Sequence, residues 1–350
     1  NSFCTLLASP MVKKVPDARK ASKEHTAGKK KRLDCVGATA TDAPSVVEDL
    51  FGYPDQSDSP TDRCGLWTTP LVGFVHFHRW RMPAQYFAPN VRGLQKIPDL
   101  FVCDGCGRDF VSEGDFAAHD AVCLRPIVGE EVYRDTNAGI VVTLAAGADE
   151  MWGPACQRFS IFAKHFLDHK EAFLDVESFE YFLLFQSSKV DDDLDTDVRP
   201  KLHFAGFFSR DRQRQCLANL ACIAVLPPYQ SLGYGGLLVQ LSYEVGRREG
   251  RCGSPERPIT SQGRVAYTAA WCRMVSAAVA QGQEGRVDVS INQLASSLAM
   301  LPCDVLATLV FLDALREGRN GHRFVVVTPQ LERWASRRPR LELRPDLLHF

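Results

Sequence analysis

Two short stretches carry residue types at spacings that could do chemistry. The first, "CDGCGRDFVSEGDFAAHDAVC", places Cys103, Cys106, His119 and Cys123 in a Cys-x2-Cys-x12-His-x3-Cys pattern. A Cys-x2-Cys turn points two thiolates at one ion. A His and a Cys four apart on a helix share a face and complete a tetrahedron. Four soft or borderline donors with no open position fit a structural zinc site rather than a catalytic one. Phe110 and Phe116 can form the small apolar core of such a finger. Metal binding, worth on the order of 10 kcal/mol at such sites, would drive its folding. Arg108 is the one Arg or Lys between Cys103 and Cys123, so reading nucleic acid is the weaker expectation for this finger.

The second stretch, "PPYQSLGYGG", follows the apolar run "NLACIAVL" and precedes an apolar, helix-like run. Gln230, Gly233 and Gly235 make a Q-x-x-G-x-G turn between strand and helix. Glycines let the backbone bend and expose successive N–H groups, and the helix brings its positive end to the same place. Together these form a cradle for a pyrophosphate. A dinucleotide fold would need G-x-G-x-x-G and a later acid, and a P-loop would need its lysine; neither is present.

The surrounding elements are strands and helices in mixed order. "YFLLFQ" and "HFAGFFSR" read as two strands joined by an exposed acidic hairpin loop with five Asp between Asp191 and Asp197. "NLACIAVL" reads as a third strand. "FSIFAKHFLDHKEAF" has the periodicity of an amphipathic helix, Gly236 to Arg248 reads as another, and a third begins near Gln262. The end of the chain reads as helix, turn, helix and a short β hairpin, resembling a winged-helix unit. Its second helix lacks a basic face, so a structural role is expected.

Hydrophobic residues at 45% and charged residues at 24% suit a globular chain of two or three domains. No apolar run is long enough to cross a bilayer, and nothing near Asn1 resembles a secretory signal, so the twelve cysteines are expected to stay reduced. Asn1 rather than Met opens the chain, as a piece of a longer protein would. Residues Met11 to Leu33 hold nine Lys or Arg against Asp17 and Glu24, ending in "KKKR". This segment reads as a solvated tail, compatible with nuclear import or weak nucleic-acid contact.

With the glycine turn in place, further motifs fall in order. They are "FLDHK" from Phe166, "GFFS" from Gly206, "NLACI", "LPPYQ", "GYG", "SYE" from Ser242 and "GSPERP" from Gly253. With the Cys-Cys-His-Cys finger ahead of them, residues 70 to 330 resemble the MYST family of histone acetyltransferases. The resemblance implies Glu256 as general base and Cys222 as the active-site cysteine. It implies Lys164 as a site of autoacetylation, and Ile223 and Val225 as backbone contacts to the acetyl-pantetheine arm of acetyl-CoA. Gln230, Ser231, Leu232, Gly233, Tyr234, Gly235 and Gly236 would hold the pyrophosphate, with Thr260 keeping a hydroxyl where the family usually has Ser. The chemistry is sound on its own terms. Lysine has a pKa of about 10.4, so neutralising its amine at pH 7 costs about 4.6 kcal/mol, which a carboxylate beside the thioester offsets by taking the proton.

The implied fold is α+β: a GNAT-like central sheet, splayed to admit acetyl-CoA, with an N-terminal zinc-finger module and a C-terminal winged-helix-like module. The expected division is a disordered tail over 1–65, the finger module over 66–127, the acetyl-CoA core over 128–262 and the C-terminal module over 263–350. The expected partners are histone tails or nucleosomes and subunits of a chromatin-modifying complex, in the nucleus. Ser231 and Leu232 stand where the family carries a basic pair, Gly236 replaces a lysine, and Ser261 replaces an Asp. The lost charge would weaken cofactor binding by on the order of 1–2 kcal/mol. Two rival readings are a non-catalytic chromatin scaffold with a weakened cofactor site and a DNA-binding zinc-finger/winged-helix protein.

Overall fold

The computed structural model describes residues 69–167, 175–187, 202–212, 217–257, 259–284, 290–317 and 323–350. The expected tail over 1–65 and the acidic loop at Asp191 to Asp197 lie outside these residues, as does "DHK" of the "FLDHK" motif. A four-stranded sheet comes first, of β1 (Val72–Phe77), β2 (Trp80–Pro83), β3 (Ile97–Val102) and β4 (Asp109–Phe110), in the order β2-β1-β3-β4. The β1–β3 pair is parallel. Helix α1 (Glu113–Asp120) follows, its first turn capped by the Ser112 hydroxyl, which accepts from the Asp115 amide.

The central sheet is antiparallel and five-stranded. It takes β5 (Glu130–Asp135), β6 (Ile140–Ala146), β7 (Phe179–Ser187) and β8 (Leu202–Asp211), then ends on β10 (Cys222–Val225), after the short β9 (Ala218–Leu220). The spatial order is β10-β8-β7-β6-β5. "FLLF" in β7 and "FAGFF" in β8 are buried throughout, so both sheet faces are covered and the pattern is continuous rather than alternating. Phe182 stacks on Phe208 at 4.4 Å, and Phe204 stacks on Phe159 of α2 (Gly153–Lys164) at 4.2 Å. Each such fully buried side chain stabilises the fold by about 1.5–3 kcal/mol. Gly206 sits where β8 meets β10, and a Cβ there would lie 2.4 Å from the Ala224 carbonyl oxygen. The close approach of these strands therefore excludes any side chain at 206.

Helix α2 begins six residues before Phe159, where the periodicity placed its start, and it ends at Lys164. "NLACIAVL" is not one strand. The chain changes sheets at Ala221: β9 pairs in parallel with β11 (Ser254–Pro255), and β10 pairs antiparallel with β8. An apolar run says that a segment is buried and cannot say against which partner.

The remaining helices follow the glycine turn in the chain. They are α3 (Tyr234–Arg248), α4 (Ser261–Glu284), α5 (Ile291–Leu298), α6 (Pro302–Phe311) and α7 (Pro329–Ser336). A two-stranded hairpin, β12 (Leu315–Glu317) and β13 (Arg323–Val325), lies between α6 and α7. Ten of the fifteen residues of α3 are buried, so it is a core helix with little solvent face. Trp271 of α4 donates its indole N–H to the Tyr243 hydroxyl at 2.8 Å, with both rings fully buried. That bond fixes the register of α4 on α3.

Just past α2, the ring of His165 is buried, and neither ring nitrogen has a hydrogen-bond partner among the described residues. Burial, with the Lys164 charge beside it, pushes His165 down to about 4 from 6.5. The unfolded chain therefore binds the extra proton, and stability falls as pH drops from about 6.5 to about 4. In urea titrations at pH 7 and pH 4.5, the parent protein should lose about 2 kcal/mol more than His165→Leu. Parallel losses in the two proteins would remove His165 as the cause.

Candidate active site and metal centre

Four donor atoms converge in the N-terminal part. The sulfurs of Cys103, Cys106 and Cys123 and one ring nitrogen of His119 all lie within 4.8 Å of one another. Cys103 Sγ is 3.8 Å from Cys123 Sγ, and Cys106 Sγ is 3.4 Å from His119 Nε2. Metal–sulfur bonds of about 2.3 Å in a tetrahedron put sulfurs about 3.8 Å apart, so these residues fit a tetrahedral ion. The local fold explains the convergence. The Gly107 amide returns to the Cys103 carbonyl at 2.9 Å, and the Cys103 amide to that of Arg108 at 2.8 Å, closing the knuckle. Helix α1 then carries His119 back over it, with Phe116 between Phe101 and Phe110 at about 6 Å from each. The Cys106 thiol lowers Cys103 by hydrogen bonding to it, and this interaction with burial raises Cys106. Without a cation the set resists holding several thiolates at once.

The knuckle is tied to the central sheet. Asp104 Oδ2 lies 2.7 Å from His203 Nδ1 on β8 and 3.3 Å from His78 Nδ1, and Arg125 pairs with its other oxygen. Arg158 of α2 donates to the Cys106 carbonyl at 2.9 Å.

The glycine turn lies at the far end of β10. Pro227–Tyr229 form one 3-10 turn, and Gln230 Nε2 donates to the Val225 carbonyl at 2.9 Å, closing the bend. Ser231 and Gly233 have φ of 61° and 103°, both left-handed. Gly233 is the residue before α3, and the Leu341 amide would be 3.0 Å from a Cβ placed on it. Ser231 and Leu232 are exposed. The Tyr234 side chain is buried, with its hydroxyl on Gln186, so it offers an incoming ligand only its backbone. β10 is the edge strand of the central sheet. Its outer backbone groups, at Ile223 and Val225, can take an extended ligand as a strand would.

Glu256 arrives from another part of the chain. Its amide donates to the Leu220 carbonyl at 2.8 Å, two residues before the buried Cys222, and its side chain is exposed. The next residue, Arg257, donates to the fully buried Asp304 on α6 at 3.0 Å. Burial outweighs Arg257 and lifts Asp304 to about 6. Pro258 lies outside the described residues. Thr260 accepts from the Gly263 amide at 3.1 Å through its hydroxyl, as the cap of α4, and retains its O–H to donate.

Residues 126–347 match the MOZ/SAS family. The chain belongs to that family. It is 30% identical to the histone acetyltransferase ESA1 of Mycosarcoma maydis over 76% of its length and 44% of that protein. It is 30% identical to a putative MYST-like histone acetyltransferase 1 of Oryza sativa subsp. japonica over 74% of its length and 54% of that protein. It is 29% identical to human histone acetyltransferase KAT6A over 85% of its length and 13% of that protein. The chain thus spans about half the length of the first two relatives and a small part of the third.

Two features of this MOZ/SAS domain have no signal in the local sequence. The Arg257–Asp304 pair joins the Glu256 loop to α6 across 47 residues of chain. Arg340 and Arg273 reach the glycine turn from the C-terminal region. The Arg340 guanidinium donates to the Ser231 carbonyl, and Arg273 Nη2 would lie 3.6 Å from a Cβ at Gly236. Lys164, read from sequence against the alternative of a solvated lysine, is buried, and its Nζ donates to the Leu167 carbonyl at 3.1 Å.

Replacing Arg257 with Met should destabilise the protein by about 2 kcal/mol at pH 8 and by less at pH 5. The sign follows from Asp304: without its cation its folded pKa rises further above the unfolded value, and the lost stability is recovered once it takes up a proton. Equal losses at the two pH values would mean that Asp304 does not depend on Arg257.

Proposed function

We propose that this chain is the catalytic part of a histone lysine N-acetyltransferase, moving acetyl from acetyl-CoA to the ε-amino group of a lysine on a histone tail. One observation carries the reading: the Glu256 amide is fixed on Leu220, beside Cys222, where an edge strand runs into a glycine turn. Family membership and the names of the relatives support it.

Acetyl-CoA supplies the acetyl group already activated as a thioester. The backbone of Ile223 and Val225 binds its extended arm, and the N–H groups of residues 230–236 take the pyrophosphate at the positive end of α3. The Thr260 hydroxyl adds a donor. Glu256, exposed to solvent and to an incoming peptide, removes the proton from the lysine ammonium, directly or through water. The neutral amine then forms the new N–C bond as the C–S bond breaks, and the CoA sulfur leaves as a thiol, taking up the second proton that the nitrogen gives up. Cys222 is a small buried residue beside this path. Direct transfer with Glu256 as base needs no covalent step on its sulfur. The Lys164 side chain, held at the end of α2, is the candidate for autoacetylation.

Cys103, Cys106, His119 and Cys123 would hold a structural zinc ion, making the finger a folded module of residues 66–127 ahead of an acetyl-CoA core over 128–262. Residues 263–350 form the C-terminal module, in which α5, α6 and the β12–β13 hairpin act as a winged-helix-like support. The protein works in the nucleus on nucleosomes, with subunits of a chromatin-modifying complex. The basic segment at Met11 to Leu33 adds weak nucleic-acid contact.

Glu256→Gln should lower acetyl transfer to histone-tail peptides by about 10²–10⁴-fold while zinc content and melting temperature stay at parent values. Transfer by the variant at the parent rate would remove Glu256 as base. Absence of transfer by a parent protein that binds acetyl-CoA would favour the scaffold reading. Cys106→Ser should reduce bound zinc from roughly one ion per chain to a minor fraction, measured by atomic emission, and lower the melting temperature. A full zinc complement in that variant would place the metal elsewhere.

A further inference from the structure

The glycine turn lacks the usual means of binding a doubly charged pyrophosphate. From Gln230 to Leu237 there is no Lys, Arg or His, and α3 opens with no charged residue in its first turn. Backbone N–H groups alone bind such a group with less electrostatic energy than N–H groups joined by a guanidinium. A cation from elsewhere does reach the turn. Arg273 lies on α4, two residues past Trp271, whose bond to Tyr243 fixes that helix against α3. Its Nη2 stands over the first turn of α3, in the space that a side chain at position 236 would enter.

Arg273 is half-buried and has no hydrogen bond or ion pair among the described residues. Burying a guanidinium without a partner is unfavourable, and such a group is normally satisfied by an anion. The nearby charges do not provide one in contact. Arg337 repels it, Glu342 attracts it from beyond ion-pair distance, and Arg340 is occupied with the Ser231 carbonyl. Gly236 contributes by what it lacks, since its missing side chain leaves the path from Arg273 to the turn open.

We propose that Arg273 is the pyrophosphate-binding cation of this domain, supplied by α4 in place of the basic residues absent from the glycine turn. The proposal rests on the acetyl-CoA reading above. It adds that the positive charge comes through the tertiary fold, and that Gly236 and Arg273 form a functional pair.

The test is calorimetric binding of three probes, CoA, dephospho-CoA and pantetheine, to the parent chain, Arg273→Ala and Arg273→Lys. Arg273→Ala should weaken CoA and dephospho-CoA equally, by about 10- to 100-fold, and leave pantetheine unchanged. Arg273→Lys should retain part of the affinity. Adding Gly236→Lys to Arg273→Ala should restore most of it, because the lysine brings the charge back from the other side of the same space. Unchanged CoA affinity in Arg273→Ala overturns the proposal. So does an equal loss for pantetheine, which would mark a structural role, and so does a loss confined to CoA, which would place the arginine on the 3′-phosphate. A parent chain that binds none of the probes would instead sink the acetyl-CoA reading beneath it.

Discussion

The site depends on one backbone exchange. At Leu220 the chain is paired with β11, and its carbonyl accepts the Glu256 amide. One residue on, the Ala221 amide donates to Ser209, and the chain has joined β8 of the central sheet. A strand has two edges and each can be paired once. By changing partners here, the chain draws in the Glu256 loop on one side and leaves β10 as an open edge on the other. Gly206 lets β8 and β10 come close enough for this, since any side chain there would meet the Ala224 carbonyl. The glycine turn then begins from an edge whose position is already set.

Buried charges perform the long-range joining. Arg210 bridges Glu180 on the neighbouring strand and Glu249 at the end of α3. Asp104 joins the cysteine knuckle to β8 through His203, and Arg257 joins the Glu256 loop to α6 through Asp304. Such pairs add little net stability, because desolvation offsets much of their attraction, and breaking one is costly. Their effect is positional. Asp304 shows the desolvation: burial raises it even with the Arg257 guanidinium in contact. The apolar core supplies the stability, and the ion pairs decide which loop faces which helix.

Much of this was legible beforehand. The strand character of "YFLLFQ" and "HFAGFFSR" survives in β7 and β8, because runs of Phe and Leu between polar inserts suit a sheet covered on both faces. The helix read from Gly236 to Arg248 starts only two residues earlier. The ligand spacing of Cys103, Cys106, His119 and Cys123 was legible because a knuckle and one helical turn are local structures. Strands β5 and β6 gave less signal: "EEVYRD" is mostly polar and short, and its pairing with "IVVTLAA" is a tertiary fact. The division of "NLACIAVL" was hidden for the same reason. Lys164 was legible only as the resemblance's autoacetylation site or a solvated lysine on a helical stripe; its burial, with Nζ on the Leu167 carbonyl, is a tertiary fact.

The sequence by itself determined the parts that need only near neighbours or residue type: the candidate Cys-Cys-His-Cys ligand set, the glycine that permits left-handed backbone before α3, the apolar strands and the proline-flanked acid. These follow from spacing, φ freedom and hydrophobicity, which are properties of short segments. Only the tertiary structure decided that the Glu256 amide is held on Leu220, two residues before Cys222, that Arg257 is anchored by Asp304, and that Arg273 and Arg340 reach a turn with no cation of its own. Those relations join segments tens of residues apart. A side chain's charge can be read from its letter, but the anion, carbonyl or cavity it meets is set by how the helices and sheet pack.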